Sequence, residues 1–198
     1  NARISVASSL RCMPEELCFT SCATESNNLA IEGFLKRLQG HPGKAVVATS
    51  LIEHSSVLAV FKRLERRGCK VVWMRPAQSG AVPPEEAERA IKEGASLLSI
   101  MLANNETGVL QPVSEMAKIA RAGGARIHCD AVQAYGKIQL DVDALGVDLL
   151  SLSAHKAYAP KGIGALYIRK GVMLEPLLAG GGHERGARKI DALRELQR

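Results

Sequence analysis

The chain has 198 residues, enough for one domain of ordinary size or one large domain with part of a second, and long enough to bury a hydrophobic core. An apolar share of 46% and a charged share of 23% are those of an average globular protein, which excludes intrinsic disorder, collagen-like repeats and coiled-coil rods. A net charge of +6, from 26 Lys and Arg against 20 Asp and Glu, accommodates an acidic ligand without demanding one.

The opening residues, Asn1 to Arg11, lack a signal-peptide pattern, and apolar runs such as Ile100 to Ala103 are too short to cross a bilayer, so a soluble cytoplasmic protein is expected. The start at Asn1 and the end in the charged run Arg194 to Arg198 read as a piece of a longer protein. Ile31, Phe34, Leu35 and Leu38 fall at helical spacing and predict a helix with one buried face. Ala45 to Thr49 follows as a strand, Val57, Val60, Phe61 and Leu64 as a helical face, and Lys70 to Met74 as a strand. Then come a helix over Pro84 to Glu93, a strand over Ser96 to Leu102, a helical face of Val113, Met116, Ala117 and Ala120, and strands over Arg126 to Cys129, Val147 to Leu152 and Gly164 to Ile168. Gly40, Gly68, Gly94 and Gly123 are expected to close helices in a left-handed conformation, and Pro112 to sit in a first helical turn. Strands alternating with helices require crossover connections, so the fold class is α/β, a mainly parallel sheet with helices on both faces.

In such a sheet, ligands collect beyond the carboxyl ends of the strands. No G-x-G-x-x-G follows the first strand, and Gly43-Lys44 lacks the rest of a phosphate-binding loop, which disfavours dinucleotide and ATP enzymes. Cys12, Cys18, Cys22, Cys69 and Cys129 are odd in number and form no C-x-x-C pair, arguing against a disulfide framework and a zinc site; they read as reduced thiols, and no metal is expected. Five polar groups stand at strand ends. Cys22-Ala23-Thr24 leads from a short strand into the first amphipathic helix, where free backbone N–H groups and the Thr24 hydroxyl suit an anion or a simple N-cap. Glu53-His54 precedes the second helix, and the ring suits either stacking on a planar ligand or capping. Asn104-Asn105-Glu106-Thr107-Gly108 suits a ligand contact or a turn. Asp130, followed by Gln133, is a costly carboxylate unless a salt bridge or a cationic ligand group meets it. Ser153-Ala154-His155-Lys156 delivers a lysine that suits an amine nucleophile losing its water or an ordinary surface charge. An anion cradle, a carboxylate, an amide, an imidazole and an amine at strand ends together match the needs of pyridoxal 5'-phosphate.

From about Arg3 to Arg188 the chain resembles the cysteine desulfurases of the NifS and IscS type, class V members of the fold-type I pyridoxal-phosphate enzymes. The resemblance rests on the runs Phe19 to Ile31, Ile52 to Val57, Met101 to Val113, His128 to Lys137, Ser151 to Arg169 and Gly180 to Arg188. It implies that Lys156 bonds the cofactor and shuttles protons and that Asp130 pairs with the ring nitrogen. It further implies that Gln133 and Asn105 hydrogen-bond about the phenolic oxygen, that Ala23, Thr24, Ser153 and His155 form the phosphate cup, and that His54 stacks on the ring and acts as acid or base. The implied reaction takes sulfur from L-cysteine, leaving L-alanine and an enzyme persulfide for iron-sulfur cluster or thio-cofactor assembly; the partners implied are a second copy of the chain and a sulfur-acceptor or scaffold protein. On this reading residues 1–188 are a partial large domain, residues 189–198 a divergent or truncated end, and the small C-terminal domain is absent. The sulfur-accepting cysteine and the carboxylate-binding arginine fall in that absent part, and all five cysteines read as buried small hydrophobes. Cys22, Ala154 and Ala159 stand where family members carry glycine, which is expected to weaken cofactor binding. Selenocysteine lyase or another class V aminotransferase is the alternative activity, and a catalytically inactive remnant acting as a binding protein the alternative class. Nucleic acid is disfavoured, because the 7 aromatics form no stacking face and the charges alternate in sign.

Overall fold

The computed structural model describes residues 2–39, 45–178 and 184–187. In chain order the elements are α1 (Ala2–Leu10), β1 (Leu17–Thr20), α2 (Ala23–Asn28), a π-helical stretch (Leu29–Gly33), α3 (Phe34–Gln39), β2 (Val46–Ser50), α4 (Ser55–Arg66) and β3 (Lys70–Met74). They continue with α5 (Pro84–Lys92), β4 (Leu97–Met101), α6 (Val113–Ala122), β5 (Arg126–Asp130), α7 (Val142–Leu145), β6 (Leu149–Ser153) and β7 (Gly164–Ile168). The strands form one seven-stranded sheet in the order β1-β7-β6-β5-β4-β2-β3. Pairs from β3 across to β6 are parallel; β7 alone runs against its neighbours β6 and β1.

Alternate strand residues feed two cores. Ala48, Leu98, Ile100, Ile127 and Cys129 face Ala87 and Ala90 of α5 and Met116, Ala117 and Ala120 of α6. Val47, Leu97, Leu149 and Leu166 face Ile31, Phe34 and Leu35 of the first long helical run and Val57, Val60, Phe61 and Leu64 of α4. Both faces of the sheet are thus covered, as βαβ crossovers demand. No helix among the described residues is long and apolar enough to cross a membrane.

Several expectations need correction. Leu38, counted on the buried face, is 48% exposed, although Phe34 and Leu35 on the same face of α3 are buried, because it stands in the last turn, one residue before the helix ends at Gln39. Gly123 ends α6 at φ −87°, and the left-handed residue is Gly124 at φ 74°. Gly68 and Gly94 both stand at φ 90° as expected, while Gly40 lies outside the described residues. Pro112 is the residue before α6 and does not enter its first turn.

Candidate active site

The sheet changes direction of travel between β2 and β4: from β2 the chain moves outward to β3, then returns to place β4 on the other side. The crevice opened by such a reversal is where an α/β sheet receives its ligand. A cavity of about 360 Å³ lies at the carboxyl ends of the strands, and its wall takes residues from the loops after β1, β2, β4, β5 and β6. Eight of the nine residues expected to bind the cofactor line it, namely Ala23, Thr24, His54, Asn105, Asp130, Gln133, His155 and Lys156. The ninth, Ser153, is buried behind it at the end of β6, where its hydroxyl pairs with His155 Nδ1 at 2.8 Å and fixes that ring.

The Thr24 end is a tight structural joint. Cys22 precedes α2 in extended conformation, and the first intrahelical bond runs from Ser26 N to Cys22 O at 3.1 Å. The N–H groups of the first turn therefore face outward at the positive end of a helical run extending to Gln39. Gly164 of β7 backs this turn, and a Cβ there would stand 2.7 Å from the Cys22 carbonyl carbon.

Asp130 is 5% exposed. Its Oδ2 accepts from Asn27 Nδ2 at 2.8 Å and its Oδ1 from the Val132 N–H at 3.0 Å. No ion pair among the described residues includes it, and burial raises its pKa above the ordinary carboxylate value despite these bonds and the nearby His54. The choice left open between salt bridge and ligand thus narrows to a buried carboxylate that faces a cavity and has no salt bridge among the described residues.

His54 does both things open to it. Its ring lines the cavity, and its Nδ1 caps α4 by accepting from the Ser56 N–H at 3.2 Å while pairing with the Ser56 hydroxyl at 2.8 Å. The Asn104-Asn105 pair likewise divides the work. Asn104 Oδ1 accepts from the N–H groups of Glu106 and Thr107 and so builds the turn, leaving Asn105 on the cavity. Gln133 accepts from Lys137 Nζ at 3.0 Å. Lys156 is exposed at the mouth, not desolvated as expected, and no hydrogen bond or ion pair among the described residues holds its ammonium. Of the cysteines, Cys18, Cys69 and Cys129 are buried, but Cys12 and Cys22 are only half-buried, and Cys22 lines the cavity.

Three contributors are not among the strand-end groups that the sequence singles out. Asn27 is fully buried and bridges Asp130 to Ser56 Oγ, the latter at 2.9 Å. Ser56 also lines the cavity, as does Met101, whose N–H donates to Glu53 at 2.9 Å. Asn27 carries a legible signal: it stands four and eight residues before Ile31 and Leu35, a polar side chain inside an apolar stripe. The segment Gly180 to His183 and residues 188–198 lie outside the described residues.

The family Aminotransferase class-V matches residues 1–192. The chain is 46% identical over 192 residues to the mitochondrial cysteine desulfurase of Eremothecium gossypii and 49% identical over 189 residues to the cysteine desulfurase IscS of Aeromonas hydrophila. Each alignment covers 94% of the chain, against 38% and 46% of those proteins, so the chain spans less than half the length of these curated relatives. Among solved structures, SspA in complex with cysteine superposes with a TM-score of 0.90 at 43% identity, over 96% of this chain and 55% of that one. A NifS-like protein gives a TM-score of 0.90 at 43% identity, over 96% and 52%. The fold is therefore shared with solved proteins, and the chain belongs to the class V aminotransferase family, alongside cysteine desulfurases of the NifS and IscS kind.

Proposed function

We propose that this chain is the cofactor-binding part of a pyridoxal 5'-phosphate-dependent cysteine desulfurase, which takes sulfur from L-cysteine and leaves L-alanine. The observation that carries this reading is Asp130, a carboxylate 5% exposed, held by neutral donors, turned to a cavity and in no ion pair among the described residues. A protonated ring nitrogen supplies the missing positive charge. The cradle before α2 fits the phosphate, and 360 Å³ is within the usual range for small-molecule sites. When bound, pyridoxal phosphate offers an aldehyde that takes up amines and a protonated ring that draws electrons from the bonds beside them.

The protein's own groups then have separable tasks. Ala23 and Thr24 offer backbone N–H groups and a hydroxyl to the phosphate, and His155, set by Ser153, offers a ring nitrogen. His54, locked by its cap, presents a flat face to the cofactor ring, with Asn105 and Gln133 as amide partners beside it. Asp130 holds the ring-nitrogen proton, and Asn27 keeps Oδ2 aimed. Lys156 Nζ is the anchoring amine and is placed to give and take protons at the cavity mouth. The three buried cysteines cannot reach substrate, so the persulfide-bearing thiol is not one of them.

The exposed apolar residues Leu51, Leu110 and Tyr158, at 49%, 55% and 96%, lie on the loops that border the cavity. They support a homodimer that meets at this edge, readable by sedimentation as twice the chain mass. Five free thiols support a reducing compartment, the cytoplasm, and the desulfurase reading places a sulfur-acceptor or iron-sulfur scaffold protein downstream.

The decisive experiment is reductive trapping. Protein mixed with pyridoxal phosphate turns yellow, and borohydride followed by peptide mass spectrometry finds the adduct on Lys156. Colourless protein under saturating cofactor, or an adduct on another lysine, rejects the reading. Colour without release of alanine from cysteine is the result expected of this chain alone, which spans less than half the length of its curated relatives, and supports the cofactor-binding part of the reading.

A further inference from the structure

Glu53 stands one residue before His54 and does not line the cavity, yet it is 5% exposed and ties two walls of the site together. Its Oε1 accepts from the Met101 N–H at 2.9 Å and from the Ser50 hydroxyl, while its Oε2 is buried with no hydrogen-bond partner. Met101 lines the cavity and sits opposite Asp130 in the β4–β5 register. Two carboxyl groups therefore share one water-poor patch, and no ion pair among the described residues brings a cation to either. Like charges so placed do not both ionise cheaply, and a bare buried carboxylate oxygen is costlier than a neutral one.

We propose that Glu53 is a positioning residue for the reaction: a neutral acid, protonated on Oε2, that pins Met101 and the His54 turn at the cavity and leaves Asp130 as the single charge of the patch. The titratable groups coupled to it are Asp130 and Cys129 of β5, and His54, next to it in the chain, acts on Asp130. Burial, with Asp130 adding to it, raises the Glu53 carboxyl to about 8, and burial with both carboxyls raises the Cys129 thiol. Neither Glu53 nor Cys129 then competes with Asp130 for charge near neutral pH. The location of the proton is independent of any cofactor; its use, keeping Asp130 ionised for a ring-nitrogen proton, rests on the pyridoxal-phosphate reading above.

The test begins with infrared spectroscopy of the protein without added cofactor. We expect a carbonyl band of a buried protonated carboxyl at neutral pH that fades as pH rises through about 8, is lost in Glu53→Gln and survives in Asp130→Asn. Pyridoxal-phosphate titrations then separate positioning from charge: Glu53→Gln, which mimics the neutral acid, binds within about twofold of wild type. Glu53→Ala, which leaves the Met101 N–H unpaired, binds roughly tenfold more weakly or worse. Absence of the band in wild type, its loss with Asp130→Asn in place of Glu53→Gln, or equal damage from Gln and Ala overturns the proposal. If Glu53→Gln does not fold, survival of the band in Asp130→Asn still assigns the proton to Glu53, and its loss there overturns the proposal. A band present in protein that binds no pyridoxal phosphate rejects the cofactor reading and the positioning role while leaving the proton on Glu53.

Discussion

At position 130 the fold accepts a penalty that its own hydrogen bonds offset only in part. The charged form of Asp130 is disfavoured by burial and is rescued in part by Asn27 and the Val132 N–H. Asp130→Asn keeps the shape and removes the charge. We expect it to weaken pyridoxal-phosphate binding by about a hundredfold, the scale of a broken buried charge pair, while the cofactor-free protein melts no lower than wild type. Spectrophotometric titration and thermal melting measure the two effects, and equal affinity in the variant would remove Asp130 from the site. Much of this chemistry is legible in the sequence because Thr24, His54, Asn105, Asp130 and Lys156 each follow a strand, and a parallel sheet brings strand ends to one edge. What spacing alone does not reveal is the layer beneath. Asn27 bonds Asp130 and Ser56, and Glu53 bonds Met101, pairs that form across 29 to 103 residues of chain. The exposure of Lys156 is likewise tertiary, since it depends on what covers the cavity mouth and not on the strand that delivers the side chain.

Among the elements, those with a strong apolar period are readable and the rest are not. The α4 stripe of Val57, Val60, Phe61 and Leu64 is fully buried as its spacing requires, and Lys70–Met74 and Gly164–Ile168 fall where β-branched and apolar runs place them. α1 escapes notice because only Ala7 and Leu10 are buried in its nine residues, and α7 because four residues cannot show a period. The reversal of β7 is also invisible locally: a buried strand has the same composition in either direction, and only the short link from β6 permits antiparallel pairing. That reversal has a structural use. Running against β1 and β6, β7 brings Gly164 beneath the turn at Cys22, where a Cβ would lie 2.7 Å from both the Cys22 carbonyl carbon and Thr20 Oγ1. Because the obstacle includes backbone, Gly164→Ala must push the turn that begins α2. We expect a loss of about 1 to 3 kcal/mol and a fall of several degrees in melting temperature, together with weaker pyridoxal-phosphate binding. A variant that melts with wild type and binds as tightly would show that the cradle does not depend on this contact.

Across the whole molecule, two buried ionisable groups set opposite limits on stability. His128 lies fully buried between Ser99 and Ser151, bonded to each hydroxyl, at 2.8 and 3.0 Å, and burial lowers its pKa from 6.5 to about 3. The unfolded chain therefore binds a proton that the fold refuses, so His128 costs stability as pH falls from 6.5 towards 3. Glu53 has the reverse sign. Its carboxyl rises from 4.5 to about 8, so the fold keeps a proton the unfolded chain has released, and stability is lost as pH rises from 4.5 to 8. Where the two windows overlap, between 4.5 and 6.5, the slopes oppose and cancel. Outside it each contributes up to about 1.4 kcal/mol per pH unit, Glu53 on the alkaline side and His128 on the acid side, and Asp130, also raised by burial, adds to Glu53 with the same sign. Chemical denaturation of the cofactor-free protein at a series of pH values is thus expected to give a plateau near pH 5 to 6 with a decline on either side. Glu53→Gln reduces the alkaline decline and leaves the acid one, whereas His128→Asn removes the acid decline and leaves the alkaline one. A wild-type stability that rises between pH 6.5 and 8 contradicts both the sign assigned to Glu53 and the neutral acid placed behind the cavity wall.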